Sequence, residues 1–244
     1  MGWLSCFRQA INLLIIARQS LFLKKQILIS FLLLVIFSSD VFSQQTTFSI
    51  ATDLDLQRSM KKEQKYWAVG QTVHVHFHFT PKNGAYAWIS YYSEGKFHHD
   101  VVAIAKQTTT NPQQINYANE GSMRFKHLSL GWKHYFIGGS GIDEKWSLYG
   151  YTGFGLLLGR VINSHSVSID TNAYFVPVRS GKANFKRLTL DVGLGWEVPL
   201  GGDIFFYNEA RLWIPTTDYP SKYIFINKNA PFVASLNFGI SILF

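Results

Sequence analysis

The chain has 244 residues and carries 23 Lys and Arg against 15 Asp and Glu, a formal net charge of +8. Its one cysteine, Cys6, lies ahead of the first long apolar run, which excludes a disulfide framework and a lipid-anchoring cysteine after that run. The positive charge is spread over separate segments without a DNA- or RNA-binding motif, so nucleic acid is not an expected partner.

Lys24 and Lys25 precede the apolar run Ile27 to Phe37, about eleven residues long where a membrane-spanning helix needs roughly 20. Val41, Phe42 and Ser43 follow as permissive residues before Gln44. The expected organisation is therefore a secretory signal peptide over 1–43, cleaved after Ser43, and one domain over 44–244. The lead-in Met1 to Phe22, with a second apolar patch from Leu13 to Ala17, fits either an extended leader or a start site placed too far upstream. The leader holds Arg8, Arg18, Lys24, Lys25 and Asp40, so the mature chain keeps 19 basic and 14 acidic residues and a net charge of about +5. Cys6 leaves with it. The mature part contains no long apolar helix.

Strand signals recur along that part, eight in all. The first, about Thr47 to Gln57, sets Phe48, Ile50, Leu54 and Leu56 on one face and Asp53 and Asp55 on the other. In the second, Trp67, Val69, Val73, Val75, Phe77 and Phe79 alternate with Ala68, Gly70, Thr72, His74, His76 and His78. Pro81 to Gly84 reads as a tight turn, and the third strand, about Ala85 to Tyr92, has an ambiguous register. Ser93 to Ser122 reads as a long polar connection.

The fourth strand places Leu128, Leu130, Trp132 and Phe136 opposite Ser129, Gly131, Lys133 and Tyr135, with His134 interrupting the apolar side. The fifth, Trp146 to Val161, has Leu148, Phe154, Leu156 and Leu158 on one face and Tyr149, Tyr151, Gly153, Gly155 and Gly159 on the other. In the sixth, Leu188 through Leu200 alternate with Arg187, Thr189, Asp191, Gly193, Gly195 and Glu197. The seventh, Ile204 to Ile214, opposes Phe206, Ala210 and Leu212 to Tyr207, Glu209, Arg211 and Trp213. The last is the clearest: from Phe232 to Phe244 every second residue is apolar, and small or polar residues fill most of the gaps.

Short turns near 82, 140 and 202 alternate with longer connections near 58–66, 93–122, 162–184 and 215–230. The even count and this rhythm predict an all-β fold, an eight-stranded antiparallel up-and-down transmembrane β-barrel with both termini periplasmic. In hydrocarbon every backbone polar group must be paired within the protein, so the first strand must bond the last. Eight strands leave an interior that side chains fill. The inward set Asp53, Asp55, Arg187, Asp191, Glu197, Glu209 and Arg211 predicts a salt-bridged, plugged lumen. Trp67 and Trp196, near strand ends, suit interfacial aromatic girdles.

The run DVGLGWEVPLGG from Asp191 to Gly202, the following Tyr207 to Arg211 and the terminal Phe244 resemble the small bacterial outer-membrane β-barrel domain family of the OmpA, OmpX and OmpW type, in its Bacteroidota form. The resemblance covers Gln44 to Phe244. It implies an outer-membrane location, with Phe244 as part of the signal read by the barrel assembly machinery, and roles as scaffold, adhesion surface, narrow channel or export accessory.

His74, His76 and His78 lie on one strand face about 6.5 to 7 Å apart. They read first as hydrogen-bonded polar fillers of the lumen. A zinc, copper or nickel site completed by Asp53 or Asp55 is the other reading. His98, His99 and Asp100 form a second, loop-borne candidate. An enzyme that modifies lipid A would need a Ser, His and acid set, for which His127 with Ser129, or His165 with Ser164 and Ser166, are candidates without a linked carboxylate. Arg58, Lys61, Lys62, Lys65, Lys96, Lys106, Arg179, Lys182, Lys222 and Lys228 suggest a basic collar for lipopolysaccharide phosphates, with Arg124, Lys126, Arg160 and Lys186 adding to it at the strand rims. The expected function is a non-enzymatic, cofactor-free envelope structural or surface-interaction protein with outer-membrane lipid and an unidentified envelope protein as partners. A narrow passive pore is the alternative.

Overall fold

The computed structural model describes residues 47–141, 146–217, 221–224 and 232–244; the predicted leader lies outside them. Ten strands are formed: β1 (Thr47–Ser59), β2 (Trp67–Thr80), β3 (Asn83–Tyr92), β4 (Gly95–Ala105), β5 (Gln114–Ile137), β6 (Ser147–His165), β7 (Tyr174–Phe175), β8 (Gly181–Gly201), β9 (Ile204–Pro215) and β10 (Val233–Leu243). Eight of them close a ring in the order β3-β2-β1-β10-β9-β8-β6-β5, with β5 returning to β3. All pairings are antiparallel. β1 meets β10 from Ser49 opposite Leu243 to Ser59 opposite Val233, and Phe244 N donates to Phe48 O at 2.8 Å. The predicted eight-stranded antiparallel barrel is the observed fold.

Side-chain alternation gives the ring two unlike faces. Outside lie Leu54, Val73, Ile89, Leu130, Phe154, Leu194, Leu212 and Leu236, all exposed. Inside lie Asp53, His74, Trp88, Lys133, Tyr151, Asp191, Arg211 and Asn237, all buried. A water-soluble barrel would have these compositions reversed, because exposing a continuous apolar belt to water is unfavourable at roughly 25 cal/mol per Å². The register of β3 is settled as well: Tyr86, Trp88, Ser90 and Tyr92 point inward, Ala87, Ile89 and Tyr91 outward.

One end of the barrel carries Phe48, Phe244 and the tight turns. Thr80 Oγ1 accepts from Asn83 N at 3.0 Å across the Pro81-Lys82 turn. Gly202, in the left-handed region at φ 56°, makes the turn between β8 and β9.

At the other end the structure departs from expectation. Ser93 to Ser122 is not a long loop: β4 continues the path of β3 along the same edge of β5, so that β5 is flanked by β3 over Lys126 to His134 and by β4 over Gln114 to Met123. Likewise β6 runs to His165 and β8 begins at Gly181, shortening the predicted 162–184 connection, which also holds β7. At about 3.3 Å per residue the 24 residues of β5 span roughly 80 Å, whereas crossing a bilayer takes about 9–11 residues. The outward face records the change of surroundings. Apolar positions give way to cations between Leu128 and Lys126, Leu158 and Arg160, and Leu188 and Lys186. Beyond that level polar residues such as Lys96, Glu120 and Lys182 face out, while Phe97, Met123 and Phe185 are buried inside. An outward alternation of polar side chains carries no apolar stripe, which is why this part reads as loop.

Candidate functional site

The interior is built in layers. Its centre is Arg211, projected inward from β9 and 1% exposed. Nη2 lies 2.7 Å from Asp53 Oδ2 and donates to Glu209 Oε2, while Nε donates to Glu209 Oε2 at 2.8 Å. Nη1 reaches Asp55 Oδ1 at 3.7 Å and Thr72 Oγ1 at 3.4 Å. The guanidinium plane also stands 4.8 Å from the Trp88 ring. Tyr207 donates to Asp53 Oδ2 at 2.9 Å, Tyr149 to Glu209 Oε1 at 2.7 Å, and Thr72 to Asp55 Oδ2. Four strands, β1, β2, β6 and β9, thus contribute to one hydrogen-bonded cluster, the arrangement a buried ion group needs to offset its desolvation.

A second pair stands beside it. His127 Nε2 lies 3.3 Å from Asp191 Oδ2 and 3.1 Å from Thr189 Oγ1, and its Nδ1 accepts from Trp88 Nε1 at 3.2 Å. Gly155 makes room for this group, since a Cβ there would collide with both His127 Nε2 and Asp191 Oδ2. Toward the turn end, Lys133 Nζ lies 3.4 Å from Glu197 Oε2 and 3.6 Å from the centre of the Tyr149 ring. The space between Ser49, His78, Tyr135 and Glu197 at that mouth is about 10 Å³, room for roughly one water. Toward the loop end Tyr66, Tyr92, Phe125, Leu157, Phe185 and Trp213 form a buried apolar cluster, and Trp213 stacks on His127 at 4.2 Å.

All seven predicted network residues, Asp53, Asp55, Arg187, Asp191, Glu197, Glu209 and Arg211, are buried on the inner face. The structure brings Asp53, Asp55, Glu209 and Arg211 into one cluster and gives Asp191 and Glu197 other partners, His127 and Lys133. Arg187 stands against the Phe185 ring at 5.6 Å. Lys133 and His127 were not in the predicted set. Lys133 shares its inward face with Ser129 and Tyr135, and that shared parity was the available signal.

The three histidines of β2 do not converge. His74 and His76 ring centres are 5.5 Å apart, His76 and His78 6.2 Å, and the latter two face Ser49 Oγ at 3.4 and 3.0 Å. Among the described residues, the one group of three ligand-type side chains close enough to hold a metal ion is Asp53, His74 and Glu209, with donor atoms within 4.8 Å of one another. Arg211 Nη2 already sits among them, 2.9 Å from His74 Nε2. A cation has the place a metal would take. In β4, His98 Nε2 and Asp100 Oδ1 make an exposed 3.3 Å pair.

The catalytic candidates fare similarly. His127 is fully buried, and hydroxyl and carboxylate both address its Nε2, whereas a relay needs them on opposite ring nitrogens. Ser129 donates to Phe154 O at 3.3 Å. His165 Nε2 is 2.9 Å from Val178 O; partial burial lowers its pKa, against the opposing pull of that carbonyl. Ser164 donates to Glu120 O, and Ser166 Oγ accepts from Ala118 N.

The closed eight-stranded ring, the apolar outer belt and the charged interior are the architecture of a small membrane-spanning β-barrel. No family model and no curated protein matches the chain. Among solved structures it is similar to a major outer membrane protein from Thermus thermophilus (9% identity, 82% of this chain and 100% of that one, TM-score 0.48). It is also similar to Ail, the attachment invasion locus protein of Yersinia pestis, in complex with the heparin analogue sucrose octasulfate (12%, 82% and 100%, 0.46), and to Neisserial surface protein A (10%, 80% and 96%, 0.46).

Proposed function

We propose that this chain is an outer-membrane protein without enzymatic activity, whose plugged barrel serves as a structural and surface-interaction element of the envelope. The observation that carries the reading is the sidedness of the ring: apolar residues outside, an Arg211-centred ion cluster inside. The barrel crosses the membrane with the Phe48 and Phe244 end in the periplasm, and the loop end, built on β4, β5, β6 and β8, stands outside the cell. The polar layers, the apolar cluster and the small space at the turn-end mouth all speak for a lumen that passes no solute. Residues 1–43 act as the removed export leader. Phe244, stacked on Phe48 at 5.1 Å and exposed on the outer face, suits a terminal residue available to the barrel assembly machinery. Contact with other envelope proteins falls to the projecting strands.

Planar-bilayer recording of the processed, folded protein tests this reading. It expects no discrete conductance steps; steady steps would establish the narrow pore instead. Unchanged lipid A acylation in cells lacking the protein is expected, and altered acylation would point to an enzyme.

A further inference from the structure

We infer that the outer faces of β5, β6 and β8 form a binding site for a phosphate-bearing membrane lipid, an inference that rests on the outer-membrane reading above. Register places Arg124 directly opposite Arg160, with Asn184 next in the row. The adjacent row, one step nearer the apolar belt, is Lys126, Leu158 and Lys186. Together these six side chains line an outward-facing hollow of about 530 Å³.

Like charges directly opposite each other on one sheet face repel, and no carboxylate among the described residues lines the hollow. Among the described residues no carboxylate forms an ion pair with Arg124, Lys126, Arg160 or Lys186. Arg124 Nη1 donates to Tyr91 Oη at 3.0 Å, and Lys126 Nζ stands 5.6 Å from the same ring, so the neighbouring Tyr91 holds two of the cations in place. Arg160 Nε is shielded from solvent without a hydrogen-bond partner among the described residues. Four cations kept at close quarters call for an anion with several acceptor oxygens, and phosphate fits that description.

Position selects the source of the phosphate. Directly below the hollow the outward face becomes Leu128, Leu156 and Leu188, the start of the apolar belt. A phosphate on a lipid headgroup lies at that height with its acyl chains running down this wall, whereas a free phosphate gains nothing from it. The committed occupant is therefore a phosphorylated glycolipid of the outer leaflet.

The test uses the processed, folded protein in phosphatidylcholine vesicles and in detergent, with lipid retention counted by native mass spectrometry during titration with phosphorylated lipid A, dephosphorylated lipid A or inorganic phosphate. Phosphorylated lipid A is expected to be retained by the wild type and weakened about tenfold or more by Arg124→Gln with Arg160→Gln, the scale of losing charge-assisted hydrogen bonds. Lys82→Gln, in the exposed tight turn at the opposite end of the barrel, is expected to bind as the wild type does. Equal retention of dephosphorylated lipid, full competition by inorganic phosphate, or no loss in the double variant would each overturn the site. Insertion into phosphatidylcholine vesicles without lipid A binding overturns the site alone; failure to insert into any bilayer overturns the membrane reading and the site with it.

Discussion

Arg211 on β9 and Asp53 on β1 meet at 2.7 Å across the intervening strand β10, so the ion cluster spans the seam where the chain's last strand closes on its first. Among the described residues, replacing Arg211 by Met removes the only Lys or Arg side chain within 4 Å of the Asp53, Asp55 and Glu209 carboxylates. Breaking a buried ion group in this way costs roughly 3–5 kcal/mol. Urea unfolding of the vesicle-folded protein, followed by tryptophan fluorescence, is expected to show that loss for Arg211→Met and partial recovery when Glu209→Gln is added. An unchanged midpoint would mean the cluster contributes little.

The same guanidinium makes a prediction about metal binding. Because Nη2 sits among Asp53, His74 and Glu209, the folded wild type is expected to show no cobalt(II) ligand-field absorption on titration. A tetrahedral cobalt spectrum that disappears in His74→Gln would contradict this.

The belt makes a prediction of opposite character. Leu194 lies on the outer face of β8 and is 59% exposed. On a water-soluble barrel, Leu194→Arg would be close to neutral. Facing hydrocarbon it should cost about 2–4 kcal/mol near the bilayer midplane, measured as a fall in folding free energy in vesicles.

Gly155 gives the interior a packing test. A methyl group there meets the His127 and Asp191 pair, and overpacking of this kind costs roughly 1–3 kcal/mol. Gly155→Ala is expected to lower the unfolding midpoint accordingly.

The barrel itself was legible because lipid and lumen impose opposite chemistry on alternate residues, and β10 carries that alternation from Ala234 to Ile242 without interruption. The inward charges followed from parity alone. Their pairing did not: Arg211 meets Glu209 two residues away on its own strand, but Asp53 from 158 residues away, through ring closure. Metal-like spacing at His74, His76 and His78 is a property of one strand, and only the ring shows that Arg211 and Ser49 already engage those rings. The projecting part of β4 and β5 escaped notice because its two faces are unlike those of the belt: polar residues outside, an apolar cluster within. Residues such as Phe97 and Met123 are then too widely spaced among polar neighbours to announce a strand.

The central claim, that outward side chains spaced two apart meet hydrocarbon, is tested most directly by spin labels at Leu54→Cys and Leu236→Cys in a protein of residues 44–244, which hold no cysteine of their own. In lipid vesicles both labels should collide often with oxygen and rarely with a water-soluble nickel chelate. High nickel accessibility at both positions in the folded protein would contradict the account.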